Sequence, residues 1–311
     1  PSRRRRTRAG GAADLPAKTE QVLSVELGAK HRKAYDQRLA RERQRILGLL
    51  EEDTAQSRFI ALKALTTLRQ MALDPALVDG EDGAEPEAAE SAGGGEAGEA
   101  GKAAGAPVTG RRGPGRRPSP SAKVEVLVEH LGPILSEGHR ALVFSQFTRY
   151  LSGVREHLEA TGVRTAYMDG STPDRQKVID AFRAGEADVF LISLKAGGFG
   201  LTLTEADYVF LLDPWWNPQA EEQAVDRTHR IGQDKPVMVY RLVSADTIEE
   251  KVMALKEKKA ELFARVVEGA GEAEAGGEGA GAAGGAAAAA GSGGLSPAAL
   301  TAAEIRELIE G

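Results

Sequence analysis

From residue 121 onward the chain alternates short, almost wholly apolar runs with longer segments of helical period. Ala141-Leu142-Val143-Phe144, Arg164 to Met168, Asp188 to Ser193, Tyr208 to Leu212 and Val237 to Leu242 read as strands buried on both faces. Val124 to Leu135, with Ser119 or Ser121 as cap, and 148–161 read as helices between them, and Ser171-Thr172-Pro173-Asp174 reads as a further helix start. Asn217-Pro218 begins another, and Asp246-Thr247-Ile248-Glu249 opens a long one reaching to about residue 267. Strands and helices in turn imply an α/β fold. Parallel strands need crossovers, and crossover helices cover both faces of the sheet.

Other parts of the chain cannot belong to that core. Residues 79–120 and 268–294 consist largely of Ala, Gly and Glu, with almost no large apolar side chain. Such tracts bury too little surface to offset backbone ordering, so both are expected to be disordered linkers. They also hide the charge balance. The formal net charge is −6, but eight acids lie between Asp79 and Glu99 and four between Glu268 and Glu278. Without those twelve the remainder is near +6, which suits a polyanionic partner, though weakly. Ahead of the core, 29–52 and 56–73 read as helices. The first carries Tyr35, Leu39, Ile46, Leu49 and Leu50 along one side; the second carries Phe59, Leu62, Leu65, Leu68 and Met71. After the second linker, Ser296 or Thr301 starts a short helix bearing Ile305, Leu308 and Ile309.

The chain has no cysteine, which excludes disulfides, thiolate metal sites and a cysteine nucleophile. Its five histidines lack zinc-type spacing, and no apolar run reaches the roughly 18 residues of a membrane span. A soluble intracellular protein without membrane partners is expected. Beginning at Pro1 with a basic run from Arg3 to Arg8, the chain also reads as a piece of something longer.

Residues 223–233, Gln-Ala-Val-Asp-Arg-Thr-His-Arg-Ile-Gly-Gln, carry the sharpest chemical signal. Arg227 and Arg230 stand three apart in a run shaped like a helix, so both would point to one face. Two guanidinium forks on one face suit a multiply charged oxyanion such as a triphosphate. The alternative is a solvated surface pair, or arginines neutralised by Glu221 or Glu222. Gly232 falls where the end of such a helix needs a left-handed residue.

Together with LISLKAGGFGLTLTEADYVFLLDPWWNP just upstream, this stretch resembles the last two helicase-type motifs of the Swi/Snf family of DNA-dependent ATPases. ALVFSQFT (141–148) is similar to that family's fourth motif, and YMDGSTPDRQKVIDAF (167–182) to the segment after it. The resemblance spans roughly Leu15 to Gly269, in the family's order. It implies that 121–267 is a RecA-like C-terminal lobe. It further implies that 15–78 is an interlobe strand plus a helical protrusion, with 79–120 an insertion at the protrusion's tip. Residues 1–14 would be a basic disordered start and 295–311 a docking helix.

By the same resemblance, Arg227 and Arg230 would be catalytic fingers approaching the γ-phosphate of ATP. Gln223 and Asp226 would orient them, and Gly200 would face the nucleotide. Ser145, Gln146, Gly170, Ser171, Thr172, Ser193 and Lys195 would meet the DNA backbone, since they sit at strand ends or helix starts where hydroxyls and amides bind phosphate. The glycine loop Lys195 to Gly200 would allow close backbone approach. Thr202 replaces a more usual asparagine, and Asp74 precedes Pro75 where the family has histidine. Of the two tryptophans, Trp215 is expected in the core and Trp216 as a residue coupling nucleotide cleft to DNA groove.

No G-x-x-x-x-G-K-[ST] phosphate loop and no strand-ending Asp-Glu pair occur in these 311 residues. ATP and Mg²⁺ would therefore be held mainly by an N-terminal RecA-like lobe of the same parent protein, and this chain alone would be inactive. The expected partners are that lobe, double-stranded DNA and a DNA-bound target protein. Its expected location is cytoplasmic and nucleoid-associated in a bacterium, nuclear in a eukaryote. A strand-separating helicase, and a non-catalytic DNA- or protein-docking module, stand as alternatives to a duplex translocase.

Overall fold

A computed structural model of the chain describes residues 16–50, 54–78, 121–194, 202–216, 218–230, 232–274 and 300–310. The basic start, the 79–120 tract and 275–299 lie outside these. Six parallel strands form one sheet: β1 (Lys18–Val25), β2 (Ala141–Ser145), β3 (Thr165–Met168), β4 (Val189–Ser193), β5 (Tyr208–Leu211) and β6 (Val237–Ser244). Their order across the sheet is β1-β6-β5-β2-β4-β3. The segment expected to stand between two lobes is thus an edge strand of this sheet, paired along its length with β6.

Period-two alternation sends neighbouring strand residues to opposite layers. Val143, Leu191 and Phe210 pack under α3 (Ala122–Ser136) and α4 (Thr148–Ala160), against Leu127, Leu131, Leu151 and Leu158. Leu142, Phe190, Val209 and Val239 face the other way, toward α5 (Arg175–Arg183) and α6 (Pro218–Val225), against Ile179, Phe182 and Val225. Each fully buried side chain of this size stabilises the fold by about 1.5–3 kcal/mol.

Several helix starts differ from expectation. Ser121 precedes α3 without a side-chain cap bond, because its hydroxyl lies 3.0 Å from the Tyr150 hydroxyl instead. Helix α5 is capped by Asp174, whose carboxylate accepts from the Lys177 amide at 3.1 Å, so Ser171 lies outside the helix. The long helix α7 (Ile248–Glu274) starts after Thr247, whose hydroxyl accepts from the Glu249 amide at 3.2 Å. Glu249 is thereby released to turn into the core, and α7 runs on into the tract expected as a linker.

Helices α1 (Ala29–Leu50) and α2 (Ala55–Leu73) form an antiparallel pair that packs on α7 and the C-terminal α8 (Ala302–Glu310). Ile46, Leu65, Leu68, Val252, Ile305, Leu308 and Trp216 share that core. Phe59 departs from the predicted stripe and is 67% exposed, while Ala61 and Ala64 are buried instead. A capping box between Thr301 and Glu304 starts α8, so Thr301 and not Ser296 is its cap. Asp74 caps the 3-10 turn Pro75–Leu77 by accepting from the Ala76 amide at 2.9 Å. Leu77 and Val78 pack on the main core, and Ser121 also lies there beside Tyr150. The two described residues that flank the 79–120 tract, Val78 and Ser121, thus both lie at the main core.

Candidate nucleotide and DNA interface

Chain direction sorts the expected site residues onto two edges of the sheet. At the carboxyl edge Ser145 ends β2 opposite Ser193, which ends β4. Strand β3 ends at Met168 opposite Ile192, so Gly170, Ser171 and Thr172 emerge beside them. Asp169 organises this turn. It accepts from the Ser171 amide at 2.8 Å and hydroxyl at 2.7 Å, and its own amide donates to Thr172 Oγ1 at 2.9 Å. Burial works to raise the Asp169 pKa, but hydrogen bonds from Ser171, Tyr167 and Thr172 outweigh it and hold the carboxyl below its ordinary value.

Ser145 and Gln146 turn inward, which corrects the expectation that their side chains reach DNA phosphate. Ser145 Oγ donates to Asp213 Oδ1, and Gln146 Nε2 to Asp213 Oδ2, each at 2.5 Å. A buried carboxylate requires such donors, and Asp213 is 1% exposed. The Ser193 hydroxyl is also buried and has no hydrogen-bond partner among the described residues. Lys195 and Gly200 lie outside the described residues.

Arg227 and Arg230 sit elsewhere. Helix α6 stops at Val225, so they occupy the turn after it and do not share a helix face. The Arg227 carbonyl accepts from Leu203 N at 2.8 Å, in the approach to the start of β5. Gln233 stitches this turn to that approach, donating to the carbonyls of Thr204, Ala206 and Thr228 at 2.9–3.2 Å. Gly232 takes φ 104°, the positive value read from its sequence position. His229 Nε2, 2.7 Å from the Pro16 carbonyl, ties the turn to the entry of β1. The arginines thus stand toward the amino edge of the sheet, and the expected DNA contacts stand at the carboxyl edge.

The two arginines differ in environment. Arg230 is exposed, and its Nε donates to the Asp226 carbonyl at 3.1 Å. Arg227 is only 6% exposed, and its Nε and Nη1 have no hydrogen-bond partner among the described residues. Burial first, and the neighbouring Arg230 charge second, lower its pKa to about 10. Glu221 does not neutralise it. That carboxylate accepts from Trp215 N at 2.5 Å and Lys256 Nζ at 2.8 Å, and it pairs with Arg241. Gln223 and Asp226 are exposed, and the Asp226 contact to Arg230 comes from its main chain and not from its carboxylate.

The expectation that Trp215 lies in the core is met only in part. Trp216 is buried, and Trp215 is the half-exposed one. Above Trp216 lies Arg69 of α2, itself 1% exposed, a residue that apolar periodicity had passed over. Lys123, Asp213 and Glu249 are buried charges that pattern reading missed as well, since hydropathy places ionic side chains on the surface.

A desolvated guanidinium with unmet donors, beside a second one, fits the oxygens of a nucleotide phosphate. The same residues do not fit its magnesium. Among the described residues no group of three or more His, Asp or Glu side chains is placed to hold a metal ion.

Residues 122–232 match the family model for the helicase conserved C-terminal domain. With the parallel sheet, that match defines the class: a RecA-like α/β lobe of the helicase C-terminal type. Over 268 residues the chain is 33% identical to the human SWI/SNF-related matrix-associated actin-dependent regulator of chromatin subfamily A member 1, covering 85% of this chain and 23% of that protein. It is 42% identical over 151 residues to Protein CHROMATIN REMODELING 24 of Arabidopsis thaliana, covering 48% of the chain and 14% of the relative. The solved Sulfolobus solfataricus SWI2/SNF2 ATPase core in complex with dsDNA aligns over 80% of this chain and 46% of its own, at 26% identity and a TM-score of 0.59. The chain belongs to the Swi/Snf family, as its C-terminal RecA-like lobe. It spans less than a quarter of the length of either curated relative.

Proposed function

We propose that this chain is the C-terminal half of an ATP-dependent motor that moves along double-stranded DNA or remodels what is bound to it. Arg227 carries the reading: a buried guanidinium that has unmet donors and no neutralising carboxylate among the described residues calls for an anion from outside the lobe. ATP, when bound, would supply the γ-phosphoryl group on which negative charge spreads during transfer. Arg227 and Arg230 would stabilise that charge, with the Asp226 carbonyl holding Arg230 in place. Mg²⁺ and most ground-state contacts to ATP would fall to a first lobe of the parent protein, so the isolated chain turns over negligible ATP.

The DNA side would lie at the carboxyl edge, around Gly170, Ser171, Thr172, Ser193 and Lys195. Ser145 and Gln146 would shape that edge through Asp213. Support comes from the solved relative, a SWI2/SNF2 ATPase core in complex with dsDNA, and from relatives named for chromatin remodelling. Action on DNA places the protein at the nucleoid or in the nucleus. Duplex binding by the two-lobe protein is then insensitive to sequence and falls steeply with salt, as backbone contacts release counterions.

The test uses the full-length protein. Arg227→Ala and Arg230→Ala should each lower DNA-stimulated turnover at saturating ATP by about 10³-fold or more, with duplex affinity and circular dichroism preserved. Lysine should rescue poorly at either position, because a point charge cannot replace a planar fork. Turnover within a few-fold of wild type in both variants would show these arginines to be structural.

A further inference from the structure

Arg69 joins three parts of the lobe that are distant in sequence. From α2 its Nη2 donates to the Pro214 carbonyl at 2.5 Å and lies 3.8 Å from Asp213 Oδ2. Its guanidinium carbon stands 5.1 Å from the centre of the Trp216 ring and 5.6 Å from that of Phe147. Asp213 in turn accepts from Ser145, which ends β2 at the carboxyl edge, and from Gln146 just beyond it. Two residues beyond Asp213, Trp215 N donates to Glu221 of α6, the helix whose end leads into Arg227 and Arg230. A continuous line of short contacts therefore runs from the proposed DNA edge, through Asp213 and the segment that Arg69 clamps, to the helix before the fingers.

We propose that Arg69 is the positioning residue that couples the DNA-facing edge of the lobe to the Trp215–Trp216 segment and, through α6, to Arg227 and Arg230. A buried space-filler would be better served by Leu or Met, since sequestering a guanidinium from water is costly. What an arginine alone supplies is one rigid plane that can bond a carbonyl, face a carboxylate and lie over two aromatic rings. If the end of β2 shifts when DNA engages, Asp213 moves with its donors. Arg69 then transfers that shift to Pro214 and Trp216.

This inference rests on the motor reading, so its test carries a control for that reading. In the full-length protein, wild type must show DNA-stimulated turnover and Arg227→Ala must lose it; otherwise the motor reading itself fails. Given that, Arg69→Leu/Asp213→Asn removes both charges and leaves neither one buried alone. We expect it to melt within a few degrees of wild type and to keep DNA-free turnover, with stimulation read at saturating duplex. Stimulation by DNA should fall by about tenfold or more, in the range of ordinary coupling energies. Arg69→Lys, which keeps a charge opposite Asp213 but cannot fork or stack, should fall between the two. Stimulation within twofold of wild type in the folded double variant overturns the proposal. Should the double variant not fold, Arg69→Lys decides: full stimulation overturns the proposal, and lost stimulation with intact DNA-free turnover sustains it.

Discussion

The ammonium of Lys123 lies 2.5 Å from the carboxylate of Glu249, with side-chain exposures of 1% and 0%. Lys123 also donates to the carbonyls of Leu212 at 2.6 Å and Leu242 at 2.9 Å, just past β5 and within β6. Glu249 accepts from Ser244 N at 2.8 Å. One ion pair thus fastens α3 and α7 to the carboxyl ends of two central strands. Burial lowers the Lys123 pKa, and the Glu249 charge opposes that fall.

Breaking the pair from one side should be costly. Lys123→Met leaves Glu249 charged in a dry site and should destabilise the chain by about 3–5 kcal/mol. Lys123→Met/Glu249→Leu removes both charges and should regain most of that loss. Urea unfolding of both variants checks this, and equal instability in the two would mean that packing volume, not charge, is what matters there.

The layout of the sheet was legible because each strand is a run of apolar residues bounded by polar turns. Phe144, Leu191 and Phe210 are buried where pattern placed them. The site was legible only as a motif. Arg227 and Arg230 could be picked out by spacing, but that spacing put them on one helix, which stops at Val225. Hydropathy also could not show that Arg69, Lys123, Asp213 and Glu249 are buried, because a buried ion is set by partners far along the chain. Arg69 meets Pro214 across 145 positions, and Lys123 meets Glu249 across 126. Asp169 shows the local version of the same limit. Sequence offered Ser171 as a helix cap, whereas its hydroxyl is taken by a carboxylate two residues back.

Helix α8 is held by Ile305, Leu308 and Ile309 against α1 and α7, with Lys258–Glu307 and Lys259–Glu304 ion pairs at 2.9 and 2.6 Å on its flanks. The first pair is exposed and the second half-buried, and such pairs contribute little, so the apolar contacts should decide docking. Ile305→Asp should strip amide-exchange protection from 301–310 while leaving protection in β2, β4 and β5 unchanged. Loss of protection throughout the sheet would show that α8 is integral to the main core.

The Asp169 turn sets a pH dependence. Its folded pKa lies below the ordinary 3.8, so the folded state favours the carboxylate more than the unfolded chain does. The sign follows: this stability is present above about pH 4 and is lost as pH falls through the folded pKa. Asp169→Ala should therefore lower stability at pH 7 by under about 1 kcal/mol, since solvent screens the turn, and the gap to wild type should close toward pH 3. A gap that stays constant from pH 7 to 3 would assign the loss to backbone geometry.

Arg227 should reveal a conflict between stability and function. Its guanidinium is buried without a neutralising partner among the described residues, so in the isolated chain it opposes folding. Arg227→Met keeps the apolar stem and removes the charge, and should raise stability by about 0.5–2 kcal/mol. Arg241→Met is the contrast, because Arg241 is paired with Glu221 and lies 3.3 Å from Glu20. It should lose about 1–3 kcal/mol, as partnered buried groups do. The same charge should also make the wild-type lobe responsive to a phosphate oxyanion. Inorganic pyrophosphate at constant ionic strength should raise its unfolding midpoint, since a ligand bound only to the native state stabilises it by mass action. The Arg227→Met chain should show little of that response. If Arg227→Met instead destabilises the lobe by more than about 1 kcal/mol and pyrophosphate shifts both proteins equally, the guanidinium is a structural element and not a charge held ready for a phosphate.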